Sequence, residues 1–212
     1  MIIEAFRKIK RVDFLPEDMK DLAELNEALP IGFGQTISQP LVVAFMMELL
    51  EPKEGEKILD VGSGSGWTTA LLAHVVSANY RGLTPVNCGK IIAVEVVPEL
   101  KGFGEKNVSK YNFAEKGVAE FICADGSKGY EKEAPYDKIL ASASAEELPK
   151  AWKEQLKING RMVTPIGNSI WLFIKNSAQE GFVFEEIEHP GFVFVPLVEE
   201  PNGSSPPFAP LG

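Results

Sequence analysis

The chain has 212 residues, room for one substantial α/β domain, and its 45% apolar and 24% charged residues are those of a globular protein with an ordinary core. Thirty Asp and Glu against 21 Lys and Arg leave a formal charge of −9, which disfavours a nucleic-acid partner because an acidic surface repels phosphate backbones. No apolar run reaches the roughly 18 residues of a membrane span, and the opening MIIEAFRKIKRV mixes charge into its apolar positions, unlike a secretory leader. The expected address is therefore cytoplasmic, with no membrane partner.

Taken in chain order, Ile2, Phe6, Ile9 and Val12 recur at near-helical spacing, which predicts helix over about the first 25 residues, interrupted at Pro16. Arg7, Lys8, Lys10 and Arg11 form the densest basic cluster and read as the solvated face of that helix. A polar, glycine-containing loop follows and ends at Pro40. Residues 41–50 then read as an apolar helix, with Ser38 placed to cap it and Pro40 suited to its first turn.

From residue 57 strands and helices alternate. Strands are expected at 57–61, 90–96, 119–124 and 136–143, and helices at 67–76, 99–111 and 149–156. Further strands at 161–166, 169–175 and 182–187 would add antiparallel pairing at the end of the sheet. This pattern predicts an α/β fold: a doubly wound, mostly parallel sheet flanked by helices, Rossmann-like, with an N-terminal helical extension. Residues 1–200 are expected to form a single domain, with N-terminal helices and a substrate loop over 1–50 and the core over 57–198. Residues 77–89 look inserted, and 201–212 form a Pro/Gly/Ser-rich tail, expected to be held against something. Cys88 and Cys123 share no metal-ligand or redox spacing, and His74 and His189 are isolated, so reduced thiols and no metal site are expected.

The chemistry concentrates in Leu59-Asp60-Val61-Gly62-Ser63-Gly64-Ser65-Gly66, a glycine loop that leaves a strand and opens a helix. A dinucleotide loop, which receives a pyrophosphate, needs its third glycine one place later, where Trp67 stands. The G-x-G-x-G spacing behind an acidic residue suits a ligand with an ammonium group and no phosphate, and S-adenosylmethionine has that character. Asp60 can meet its amino-acid end, while the glycines let the backbone pass beneath without Cβ clashes. Glu95, ending the next strand, can accept both ribose hydroxyls through its two oxygens. Asp125-Gly126-Ser127, after the third strand, can read an adenine edge. The three signals fall on successive strand ends, where open α/β sheets bind ligands.

Beyond these features the sequence resembles the protein-L-isoaspartate O-methyltransferase family, from the N-terminus to about Val198. Gly32-Phe33-Gly34-Gln35-Thr36-Ile37-Ser38-Gln39-Pro40 is the most specific segment. The glycine loop, Gly126-Ser127 with Gly129, Ala134-Pro135-Tyr136-Asp137, Gly160-Arg161, Pro165-Ile166-Gly167 and Phe194-Val195-Pro196-Leu197 follow in the family's order. The resemblance implies methyl transfer from S-adenosylmethionine to the free α-carboxylate of L-isoaspartyl residues in damaged peptides and proteins, in a monomer or weak homo-oligomer. The ester would then be lost through a succinimide. It implies that Ser38 is the active-site hydroxyl, and that Thr36, Ile37, Ser38, Asp60, Gly62, Ser63, Gly64, Glu95, Val96, Asp125 and Gly126 hold the cofactor. Ser38, Val195, Pro196 and Leu197 would bind substrate. The chain departs from the family at Phe33, where His or Tyr is usual, and at Ser142-Ala143-Ser144-Ala145-Glu146, where T-A-A-A-P is usual. A methyltransferase with another acceptor, and a silent relative that only binds cofactor, are the alternatives.

Overall fold

The computed structural model describes residues 1–77, 88–179 and 181–198. Most of the expected 77–89 insertion, and all of the 201–212 tail with its expected contact, lie outside the described residues.

The chain opens with helix α1 (Ile2–Lys8), and short 3-10 turns at Arg11–Phe14 and Glu17–Leu22 follow. The single helix expected over the first 25 residues is thus broken early. Ile9 turns extended (φ −94°, ψ 101°), and Pro16, which cannot continue a helix, precedes the second turn. Strands β1 (Leu29–Gly32) and β2 (Gln35–Ile37) form a separate antiparallel hairpin where a loop was expected. Its two central residues, Phe33 and Gly34, have φ of 53° and 70°, the paired left-handed geometry that matches strand twist in a tight hairpin. Helix α2 (Pro40–Leu50) follows.

The remaining elements are β3 (Lys57–Val61), α3 (Trp67–Val76), β4 (Lys90–Glu95), α4 (Pro98–Ser109), β5 (Ala119–Cys123), β6 (Tyr136–Ala141), α5 (Lys150–Gln155), β7 (Leu156–Ile166), β8 (Ser169–Ala178) and β9 (Gly181–Pro190). Among the described residues the main sheet has seven strands in the order β5-β4-β3-β6-β7-β8-β9. The first five are mutually parallel, and β8 and β9 are antiparallel additions, as expected. The strands alternate between two cores. Ile58, Ile91, Ala93 and Leu140 face a large cluster shared with α1, α2, α3 and α4. Leu59, Ile92, Val94 and Ile139 face a smaller one closed by Trp152 of α5. Helix α3 is buried nearly all round because it lies between the sheet and α1 and α4.

The chain moves outward from β3 through β4 to β5, then returns to place β6 on the other side of β3. That reversal opens a crevice at the carboxyl ends of β3, β4 and β6, the place where open α/β sheets bind ligands. No helix among the described residues is long and apolar enough to cross a membrane.

Candidate active site

The glycine loop sits at this crevice. Gly62, Gly64 and Gly66 all have positive φ (73°, 49° and 83°), a conformation that side chains with a Cβ rarely adopt. The amides of Gly62 and Ser63 both donate to the Val94 carbonyl (2.9 and 3.2 Å), tying the loop to β4. Glu95 completes the tie: Oε2 accepts from Gly64 N at 2.9 Å and Oε1 from Val97 N at 3.0 Å. Burial pushes the Glu95 carboxyl upward, and these backbone donors pull it part of the way back. Asp60 is fully buried behind the loop. Its Oδ2 accepts from Thr69 Oγ1 at 2.5 Å, while Oδ1 has no hydrogen-bond partner among the described residues. Burial raises its pKa to about 7 against the opposing Thr69 hydrogen bond, and the nearby Glu95 adds a smaller upward push.

Two clefts meet here. The first is bounded by Gln35 and Thr36 of the hairpin, Gly62 and Gly64 of the loop, Glu95 with Val96, and Gly126; residues 195–198 close it. The second runs past Ser38, Gln39, Val42 and the apolar segment 192–196. Thr36, Ser142, Val195 and Pro196 line both. The 191–197 segment is held in place as a strap. Gly191 N and Phe192 N donate to the Asn168 carbonyl, Ser144 N donates to Val195 O at 2.8 Å, and Leu197 N donates to Ser144 O at 2.8 Å. Phe192 also stacks on Phe45 of α2, with ring centroids 5.5 Å apart.

Ser38 does not cap α2, contrary to the sequence expectation. The cap position is Gln39, whose side chain makes no capping bond, and the exposed amide of Leu41 instead donates to Asn26 Oδ1 at 3.0 Å. The Ser38 side chain is thereby left to the second cleft. Its carbonyl is fixed by Arg11, whose guanidinium also donates to the carbonyls of Ala23, Leu25 and Glu27 at 2.6 to 3.2 Å and stands 5.5 Å over the Trp67 ring. Arg11 is 7% exposed, so the solvated face expected for the basic cluster does not include it.

Of the residues expected to hold the cofactor, Thr36, Gly62, Gly64, Glu95, Val96 and Gly126 lie on the wall of the first cleft. Ile37, Ser63, Asp60 and Asp125 are buried and do not line it. Ile37 belongs to the apolar core. Asp125 Oδ1 caps its own turn through Ser127 N and Oγ (3.0 and 2.7 Å), and Oδ2 pairs with Lys128 at 3.1 Å. Ser38, Val195 and Pro196 line the second cleft, whereas Leu197 faces the first and a third cavity beside Glu146 and Glu147. Phe33 is 41% exposed and lines neither of the two meeting clefts. Sequence reasoning passed over Gln35 and gave Ser142 no part in the site. Ser142 is only the residue after a strand, and nothing in its spacing marks it.

The first cleft fits an adenosyl sulfonium with an amino-acid end. Asp60 keeps an orphaned buried oxygen beneath it, an acceptor suited to an ammonium group. The Glu95 oxygens, which accept from the Gly64 and Val97 amides, have about four lone-pair sites between them and so can accept from a ligand as well. A family model described as protein-L-isoaspartate(D-aspartate) O-methyltransferase matches residues 1–202. The protein-L-isoaspartate O-methyltransferase of Methanopyrus kandleri is 40% identical over 97% of this chain and 86% of its own length. Protein-L-isoaspartate O-methyltransferase 2 of Archaeoglobus fulgidus is 44% identical over 86% of this chain and 78% of its own. A solved protein-L-isoaspartate O-methyltransferase superposes with a TM-score of 0.77 at 26% identity, covering 92% of this chain, which spans 60% of that one. A structure described as a putative member from Plasmodium falciparum, in complex with S-adenosyl-L-homocysteine, agrees in fold with a TM-score of 0.76 at 23% identity, covering 93% of this chain and 89% of that one. The chain belongs to the protein-L-isoaspartate(D-aspartate) O-methyltransferase family.

Proposed function

We propose that this protein methylates the free α-carboxylate of L-isoaspartyl residues in damaged peptides and proteins, with S-adenosylmethionine as donor. The observation that carries this reading is the junction of the two clefts. One has a carboxylate-and-glycine wall suited to the cofactor, the other has the Ser38 hydroxyl at its side, and they share Thr36, Ser142, Val195 and Pro196. Once bound, S-adenosylmethionine supplies an electrophilic methyl group on a sulfonium centre. In this reading Glu95 takes the ribose hydroxyls, the glycine loop with Ser63 passes under the amino-acid end, and Asp60 offers it a carboxylate. Val96 and Gly126 border the base, with Thr36 beside the reacting end.

The acceptor is a carboxylate with an ordinary pKa of about 4, already ionised at neutral pH, so no general base is demanded. The task left to the protein is alignment, and a well-oriented pair of reactants supplies much of the barrier reduction. Ser38 donates a hydrogen bond to the acceptor carboxylate and orients it. Phe192, Val193 and Phe194 give the peptide an apolar bed, and the Val195–Leu197 strap shields the junction from water. Incubation with methyl-labelled cofactor and a pair of peptides, identical except for isoaspartyl against aspartyl linkage, tests the reading. Label is expected in the isoaspartyl peptide alone. Equal labelling of the pair, or none, overturns it.

A further inference from the structure

We infer that Ser142 is a second acceptor-binding hydroxyl that faces the transferred-methyl position from the β6 side, opposite the side of the junction formed by Thr36 and Ser38. The inference rests on the proposed isoaspartyl reading and extends it to a residue that neither spacing nor the glycine loop marks. Ser142 follows β6, the strand beside β3 at the point where the sheet reverses direction. Its amide donates to the Val61 carbonyl at 2.9 Å, which locks its backbone against the strand that carries the glycine loop. On its other side, Ala143 packs where a Cβ on Gly62 would lie, 3.6 Å away, and Ser144 exchanges two 2.8 Å hydrogen bonds with the strap. Its position is therefore fixed by three separate parts of the site.

Four residues line both clefts, and only Thr36 and Ser142 among them carry a polar side chain. Ser38 lines the second cleft alone. A group transferred from one cleft to the other passes the wall shared by Thr36, Ser142, Val195 and Pro196. The Ser142 hydroxyl is not drawn into any hydrogen bond among the described residues, so it is available to a ligand there. A carboxylate has two oxygens and about four lone-pair sites. It can accept from Ser38 and from Ser142 and still present one lone pair to the methyl carbon. As the oxygen–carbon bond forms, the carbon–sulfur bond breaks and its electron pair stays on sulfur; no proton moves. Two hydroxyl donors restrain the carboxylate plane in a way that one cannot.

The test compares wild type with Ser142→Ala and Ser142→Thr, reading S-adenosylhomocysteine affinity by calorimetry, isoaspartyl-peptide affinity in its presence, and kcat and KM for that peptide. Ser142→Ala is expected to bind S-adenosylhomocysteine within about twofold of wild type while peptide affinity and kcat/KM fall about tenfold, the size of a lost hydrogen bond to a charged group. Ser142→Thr, which keeps the hydroxyl, recovers most of both. Peptide affinity and kcat/KM within twofold of wild type in Ser142→Ala overturn the inference, as does a loss confined to S-adenosylhomocysteine. Should the wild type fail to distinguish isoaspartyl from aspartyl peptide, the functional reading fails and the inference falls with it, a result separable because it appears without any substitution.

Discussion

Asp60 has a buried carboxyl raised from 3.8 to about 7. A carboxyl raised in the folded state ionises first in the unfolded chain. It therefore withdraws stability as pH climbs from about 4 to about 7, by up to about 4 kcal/mol at the upper end. Asp60→Asn should make the ligand-free protein more stable than wild type at pH 8, with the gain vanishing near pH 4, as thermal unfolding at the two pH values will show. The same carboxyl must lose its proton to meet an ammonium group. Wild-type affinity for S-adenosylhomocysteine should thus be about tenfold weaker at pH 6 than at pH 8, and Asp60→Asn should bind weakly at both. Arg11 acts at the same scale through its geometry. Its planar fork ties three carbonyls of the 23–27 stretch to that of Ser38, and a lysine has three donors on one point charge. Arg11→Lys should lower the melting temperature by about 4 to 8 °C, the equivalent of roughly 2 kcal/mol in a chain of this length. Peptide kcat/KM should fall more than S-adenosylhomocysteine affinity does, because Ser38 lies on the acceptor side.

Among the elements, α4 sets how closely the glycine loop can be approached from behind. Gly104 meets the loop so tightly that a Cβ there would lie 2.7 Å from the Gly64 carbonyl oxygen and 3.0 Å from the Phe121 ring. Neither neighbour can yield cheaply, one being backbone and the other a core aromatic. Gly104→Ala should cost about 1 to 3 kcal/mol, the range for overpacking a tight interface, and should weaken S-adenosylhomocysteine binding. Chemical denaturation and calorimetry measure the two effects. The parallel strands were legible in the sequence because buried runs such as Ile58-Leu59 and Ile91-Ile92 are bounded by glycine or charge. The β1–β2 hairpin was not, since Pro30 interrupts its alternation and its turn uses Phe33-Gly34 in place of the usual Asn-Gly. Likewise Ser38 sat where a cap belongs, and only tertiary structure brings Asn26 to Leu41 and releases Ser38 to the cleft.

At the scale of the whole molecule, the glycine loop and Glu95 could be read from the sequence because their role follows from position on successive strand ends. The acceptor side could not be read from spacing, because it is assembled from the hairpin, the residue after β6 and a strap about fifty residues further on; the family resemblance supplied Ser38 and residues 195–197, and left Ser142 without a role. The sheet reversal between β3 and β6 makes that assembly possible by opening one crevice to all three. On the proposed reading, the two clefts meeting at Thr36 and Ser142 hold the cofactor and the isoaspartyl carboxylate respectively. A crystal structure with S-adenosylhomocysteine and an isoaspartyl peptide tests it most directly. The adenosyl group is expected between the Gly62–Gly64 turn, Glu95 and Gly126, with the peptide carboxylate within hydrogen-bond reach of Ser38 in the second cleft. A peptide bound away from Ser38, or an adenosyl group outside the first cleft, would contradict it.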